Sequence, residues 1–172
     1  MNPPRLLALD LSLTATGWCL DGETGCIRTK LRGVERVDFI VREVQKRSSG
    51  VDLSITEGYS YGSQGRAVFD IGELGGCVRL LFYRLGIPYV EVAPASLKKF
   101  STGKGNAPKD AMIAAAIRRF GFPGSDNNEA DAFLLWCMAR HAFGAPIASV
   151  PKLQAEVLCK VSWPKIREAV SV

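Results

Sequence analysis

Apolar positions along the chain change period in a way that separates strands from helices. Leu6 to Leu9 form a continuous apolar run, resumed by Leu11 after Asp10, which predicts a buried strand. Thr14–Gly17 predicts a tight turn, with Gly17 free to take positive φ. Gly17–Leu20 and Cys26–Leu31 predict two more strands, joined through the turn formers of Asp21–Gly25 into an antiparallel meander. Within Gly33–Arg47, Val37, Ile40, Val41 and Val44 recur at helical spacing, and Ser48–Ser49–Gly50 ends that helix. Val51–Thr56 is a β-prone run ending on Glu57–Gly58, followed by a polar-aromatic loop, Tyr59–Gly65. Ala67, Ile71, Leu74, Val78, Leu81 and Leu85 then mark a long helix. Gly72, Gly75 and Gly76 interrupt it, each costing about 1 kcal/mol against Ala, and are read as close-packing points against a neighbouring element or a second subunit.

Ile87–Val92 predicts a fifth strand, followed by a basic loop over Ser96–Lys109. Asn106 or Ala107 is expected to cap a helix with Pro108 in its first turn and Met112, Ile113, Ala116, Ile117 and Phe120 on its inner face. Asp126–Asn127–Asn128 supplies caps for a last helix whose inner face holds Ala130, Phe133, Leu134, Cys137, Met138 and His141. The order βββ-α-β-α-β-α-α describes an α/β ribonuclease H-like fold with a five-stranded mixed sheet, three strands antiparallel and two parallel, flanked by helices. The crossover rule sets strands one, four and five side by side, so Asp10 and Glu57 fall on adjacent strands. Residues 1–146 are expected to form this domain, with 147–172 an appendage containing a short helix over Leu153–Val161.

Composition narrows the setting. With 172 residues, 47% hydrophobic and 23% charged, the chain fits one globular domain. No apolar run is long enough to span a bilayer, no signal peptide is read at Met1–Arg5, and a cytoplasmic location is expected. Five cysteines without a C-x-x-C pair point to reduced thiols rather than zinc. A net charge of +5 favours a polyanionic partner, and Lys98, Lys99, Lys104 and Lys109 cluster in one Gly-, Ser- and Thr-containing stretch suited to phosphate contact.

The chemistry rests on acids in apolar surroundings. Asp10 interrupts a buried run, where an unpaired carboxylate costs several kcal/mol. Glu57 ends a strand, where ligand sites open in α/β sheets. Asp131 lies one turn into the last helix, Asn128 shares its face, and Glu129 points to the other side. Three hard oxygen donors suit Mg²⁺ or Mn²⁺. His141 reads as an ordinary helix residue.

LALDLSLTATGW, ITEG, VAPASLKKFSTGKGNAPKDAM and NNEADAFLLW, spanning Leu7 to about Trp136, together resemble the RuvC family of Holliday junction resolvases, as a phage-type or divergent member. The resemblance implies a homodimeric, metal-dependent endonuclease that cuts four-way DNA junctions and leaves 5′-phosphate and 3′-hydroxyl ends. It implies Asp10, Glu57 and Asp131 as ligands to a pair of Mg²⁺ ions, which Mn²⁺ would replace. The family's fourth ligand falls at Asn128, whose carbonyl can coordinate Mg²⁺ but carries no charge, so that either the second ion binds more weakly or Asp126 or Glu129 substitutes. Lys109 and Lys98 match basic residues near the scissile phosphate, and Tyr59 and Tyr61 are candidates for an aromatic that meets junction bases, at unusual spacing. A relaxed branched-DNA nuclease and a non-catalytic junction-binding module are the competing readings. A helicase partner is not read from the sequence.

Overall fold

The computed structural model describes residues 3–58 and 66–166. The sheet has five strands, β1 (Leu6–Asp10), β2 (Thr16–Leu20), β3 (Glu23–Ile27), β4 (Leu53–Glu57) and β5 (Tyr89–Val92), in the order β3-β2-β1-β4-β5. β1, β2 and β3 pair antiparallel, whereas β4 lies parallel to β1 and β5 parallel to β4. This is the predicted mixed sheet.

Side chains alternate across the strands, which assigns every residue of β1 and β4 to a face. Leu6, Ala8, Leu53 and Ile55 join one core with Val90 and Val92. Leu7 and Leu9 join the other, with Val37, Ile40 and Val44 of α1 (Gly33–Arg47) and Leu74, Val78 and Phe82 of α2 (Arg66–Leu85). The first face is covered by α3 (Pro94–Thr102), α4 (Lys109–Phe120) and α5 (Asn127–Ala142). In α5, Ala130 and then Ala132 to Ala139 are all buried, because the sheet covers one side of the helix while α4 and the tail cover others. A short helix, α6 (Lys152–Ala155), runs into a 3-10 turn over Glu156–Lys160. Val157 there is buried in the α5-side core, so residues 147–166 belong to the same packed unit.

Several expectations are corrected. β3 begins at Glu23 and stops at Ile27, not Leu31, because Asp21 and Gly22 alone make the turn, both at positive φ (51° and 94°). Gly17 lies inside β2 and is absent from the positive-φ residues; its need for no side chain has another cause, given below. The supposed basic loop contains α3: Pro94 opens the helix, Leu97, Phe100 and Ser101 are buried, and Gly103 (φ 89°) ends it. Pro108 itself, not Asn106 or Ala107, takes the cap position of α4, and Ile117 of that helix faces outward at 46% exposed. A side-chain carbon placed on Gly72 or Gly76 meets nothing within 4 Å among the described residues, so neither is a packing point against them. No described helix is long and apolar enough to cross a membrane.

Candidate active site

Strand alternation and register build the site. Asp10 follows Ala8 by two residues and Glu57 follows Ile55 by two, so both carboxylates belong to the α5 face. Leu9 is paired with Thr56, so Asp10 and Glu57 are the next positions along this parallel pair, at the C-terminal ends of two central strands. α5 packs over that face and brings Asp131 from above.

Gly17 sets how closely the helix comes. It is registered against Asp10 on β2, and a Cβ added to it would stand 2.0 Å from the backbone oxygen of Asn128. The first turn of α5 therefore rests on bare backbone beside Asp10. The β1–β2 connection is tied by Thr16, whose hydroxyl donates to the Ser12 carbonyl oxygen at 2.6 Å and accepts from the Ser12 N–H at 3.1 Å.

The electrostatics follow from this crowding. Burial, then the charges of Glu57 and Asp131, push the Asp10 carboxyl up to about 8. Burial and then Asp131 push Glu57 up to about 7, and burial pushes Asp131 up to about 6. Lys109 opposes all three shifts, and Lys98 opposes those of Glu57 and Asp131. Lys98, half-buried on α3, and Lys109, exposed at the start of α4, thus face the acids from two elements. Lys99 sits on the same helix as Lys98, one position on; Lys104 is exposed beyond Gly103, where its backbone oxygen accepts from the Thr102 hydroxyl. Tyr59 and Tyr61 lie outside the described residues.

Around the fourth position, the side chains are already committed. Asp126 caps α5, accepting from the Asn128 and Glu129 backbone N–H groups at 2.9 and 3.2 Å, and its other oxygen pairs with Arg28 at 2.6 Å. Glu129 accepts from the Thr24 hydroxyl at 3.1 Å, on β3. Asn128 turns its amide nitrogen toward Asp126 at 3.3 Å. Arg28, Thr24 and Gly17 are contributors that the sequence does not flag, since each acts through a partner distant in the chain.

Three carboxylates whose ionisation is held back by burial and mutual repulsion, with two lysines beside them, form an oxygen-donor set that a hard divalent cation would stabilise in its charged form. Among the described residues no three His, Cys, Asp or Glu side chains are gathered as tightly as an ion would hold them.

No family model matches the chain. It is 29% identical over 140 residues to the crossover junction endodeoxyribonuclease RuvC of Anaeromyxobacter sp. (strain K), covering 80% of this chain and 73% of that protein. The structure of Thermus thermophilus RuvC in complex with a Holliday junction substrate aligns with a TM-score of 0.68 at 19% identity, over 86% of this chain and 99% of that one. The yeast mitochondrial Holliday junction resolvase Ydc2 aligns at 0.52 and 10% identity, over 92% of this chain and 81% of that one. The solved structures share the fold, and the sequence relatives named RuvC carry the likeness through most of the chain.

Proposed function

We propose that this protein is a structure-selective DNA endonuclease that resolves four-way junctions by hydrolysing two phosphodiesters, one in each subunit of a homodimer. The observation that carries the reading is the convergence of Asp10, Glu57 and Asp131, from two strands and a helix, beside Lys98 and Lys109. Three half-buried acids crowded together weaken a fold unless they serve a cation. The names of the sequence relatives, and the junction bound in the Thermus structure, support the substrate class.

Asp10, Glu57 and Asp131 would hold the divalent ions. Asn128 is the favoured fourth donor, because Asp126 and Glu129 are occupied by Arg28, the α5 cap and Thr24. Such ions, Mg²⁺ or Mn²⁺ and two per site, supply an activated water and stabilise a leaving 3′ oxygen. Lys109 and Lys98 position the phosphate and offset the acids' charge, so that a polyanion enters a cleft that the carboxylates alone would repel. Lys99 and Lys104 would extend that hold along the backbone, with salt-dependent binding as the consequence. Products with 5′-phosphate and 3′-hydroxyl ends follow from water attacking on the side opposite the 3′ oxygen. Tyr59 and Tyr61 are proposed to meet bases at the junction centre.

The dimer reading is supported by α2. Phe69, Leu80 and Tyr83 are 78%, 47% and 81% exposed, and helical spacing puts them with Gly72 and Gly76 along one stripe. A second copy laid on that stripe would cover it.

The test is junction cleavage and junction binding by wild type and Asp10→Asn side by side. The variant binds a four-way junction as wild type does and loses cutting by 100-fold or more in Mg²⁺. Normal cutting by the variant would remove Asp10 from the mechanism. Flaps cut much faster than junctions would favour the relaxed nuclease.

A further inference from the structure

Positive charge in this chain is concentrated in two places. The stretch 98–109 carries four lysines and no acid. The stretch 28–36 carries Arg28, Lys30, Arg32 and Arg36 against the single acid Glu35, a net +3. Since the whole chain is +5, everything outside these two stretches sums to −2. The first stretch belongs to the site described above. Of the second, only Arg28 reaches that site, through Asp126 at the cap of α5.

Its place in the fold is defined. Asp10 is registered with Gly17, and Gly17 with Cys26, so β3 ends at the same edge of the sheet as the acids. Residues 28–32 continue from that edge, two strand spacings, or roughly 10 Å, to the side of Asp10. Lys98 and Lys109 stand on α3 and α4, the helices that follow β5, the strand at the other end of the sheet. The acid cleft is therefore flanked by cations on both sides.

The stretch is also held in shape. Arg28 is tied to Asp126 at the cap of α5 at 2.6 Å, and the Arg36 guanidinium donates to the Leu31 carbonyl oxygen at 2.7 Å. Thr29 accepts from the Leu31 N–H at 3.1 Å. Two cations are left over: Lys30 and Arg32 are exposed and have no ion pair among the described residues. Unpaired surface cations add little to stability. Their concentration on an anchored segment beside the cleft calls for an anionic partner.

We infer that Lys30 and Arg32 form a second DNA-contact surface, gripping backbone phosphates about three nucleotides from the scissile one, on the side of the cleft away from Lys98 and Lys109. The distance follows from a rise of about 3.4 Å per nucleotide of one strand. This deepens the junction-cutting reading and rests on it for the identity of the nucleic acid. The two cations would engage phosphate rather than bases, and so bind without sequence preference.

The experiment compares the salt dependence of binding for wild type, for Lys30→Gln/Arg32→Gln and for Lys152→Gln/Lys160→Gln, on a four-way junction and on linear duplex DNA, without metal. Both double variants lose the same net charge, but Lys152 and Lys160 lie on the exposed tail. Removing two phosphate contacts lowers the slope of log K against log[salt] by about 1.8, at about 0.9 each. The expected result is that drop for Lys30→Gln/Arg32→Gln with weaker binding on the junction, and no drop for the tail variant. An unchanged slope, or equal drops in both variants, would overturn the inference; single substitutions, each expected to lower the slope by about 0.9, repeat the test should the double variant fold poorly. A wild type that binds the junction no better than duplex would instead count against the junction reading, while the slope on duplex still decides the role of Lys30 and Arg32.

Discussion

At the scale of single residues, the acids of the site oppose the stability of the fold that carries them. An ordinary aspartate ionises near 4, whereas burial and its neighbours hold Asp10 up to about 8. Between those values the native chain binds more protons than the unfolded one, so this contribution to stability falls as pH rises through the window. Glu57, up to about 7, and Asp131, up to about 6, act in the same sense over narrower ranges. Asp10→Asn removes the largest of these penalties, on the order of a few kcal/mol. In EDTA the variant therefore melts above wild type, with a gain that grows from pH 5 to pH 8. A gain of equal size at both pH values would mean that Asp10 is ionised freely in the fold. Mg²⁺ should raise the wild-type midpoint more than that of the variant, since a cation discharges the acids that Asn lacks. Asp126 behaves oppositely: although burial works to raise it, the α5 backbone N–H groups and Arg28 hold it below the usual carboxylate range.

Elements meet where side chains are missing. α5 reaches the acids because Gly17 of β2 offers it backbone, with no room for a Cβ 2.0 Å from the Asn128 oxygen. Gly17→Ala must displace the first turn of α5, at a cost of about 3 kcal/mol or more for a clash with main chain. Loss of cutting and a lower melting point are expected together. Gly72→Ala is the opposite case, since its added carbon meets nothing among the described residues and its helix gains about 1 kcal/mol. In dilute protein that change raises the midpoint by about 2–4 °C. A Gly17→Ala protein as stable and active as wild type would show that the helix does not depend on this approach. Sequence periodicity located α1 and α2 well, because each lays one regular apolar stripe on the sheet. It missed α3, where lysines and small polar residues mask the buried Leu97 and Phe100. It also read a single inner face on α5, a helix whose buried run is continuous.

For the whole molecule, charge and exposed apolar surface are segregated. Cations flank the cleft at one edge of the sheet, while Phe69, Leu80 and Tyr83 lie exposed on α2, on the opposite sheet face from α5. A dimer through α2 would fix the separation of two clefts, and that separation is what a junction-selective enzyme needs. Phe69→Glu with Tyr83→Arg should convert a dimer to monomers in sedimentation at micromolar concentration. A wild type that already sediments as a monomer there would rule out this mode of assembly.

Local chemistry settled much of this protein in advance. An acid inside an apolar run, another where a β-prone run stops, and a third behind a row of cap residues are visible without coordinates, because burial of a carboxylate is costly wherever it occurs. The strand order was equally accessible, since handed crossovers leave few ways to arrange βββαβαβ. What the chain could not state alone depends on pairs far apart in sequence. Gly17 against Asn128, Arg28 against Asp126 and Thr24 against Glu129 arise only when α5 lies across the meander, and they occupy the carboxylates of Asp126 and Glu129. The face shared by Asp10 and Glu57 is of the same kind: alternation within each strand is local, but the register that brings the two together belongs to the sheet.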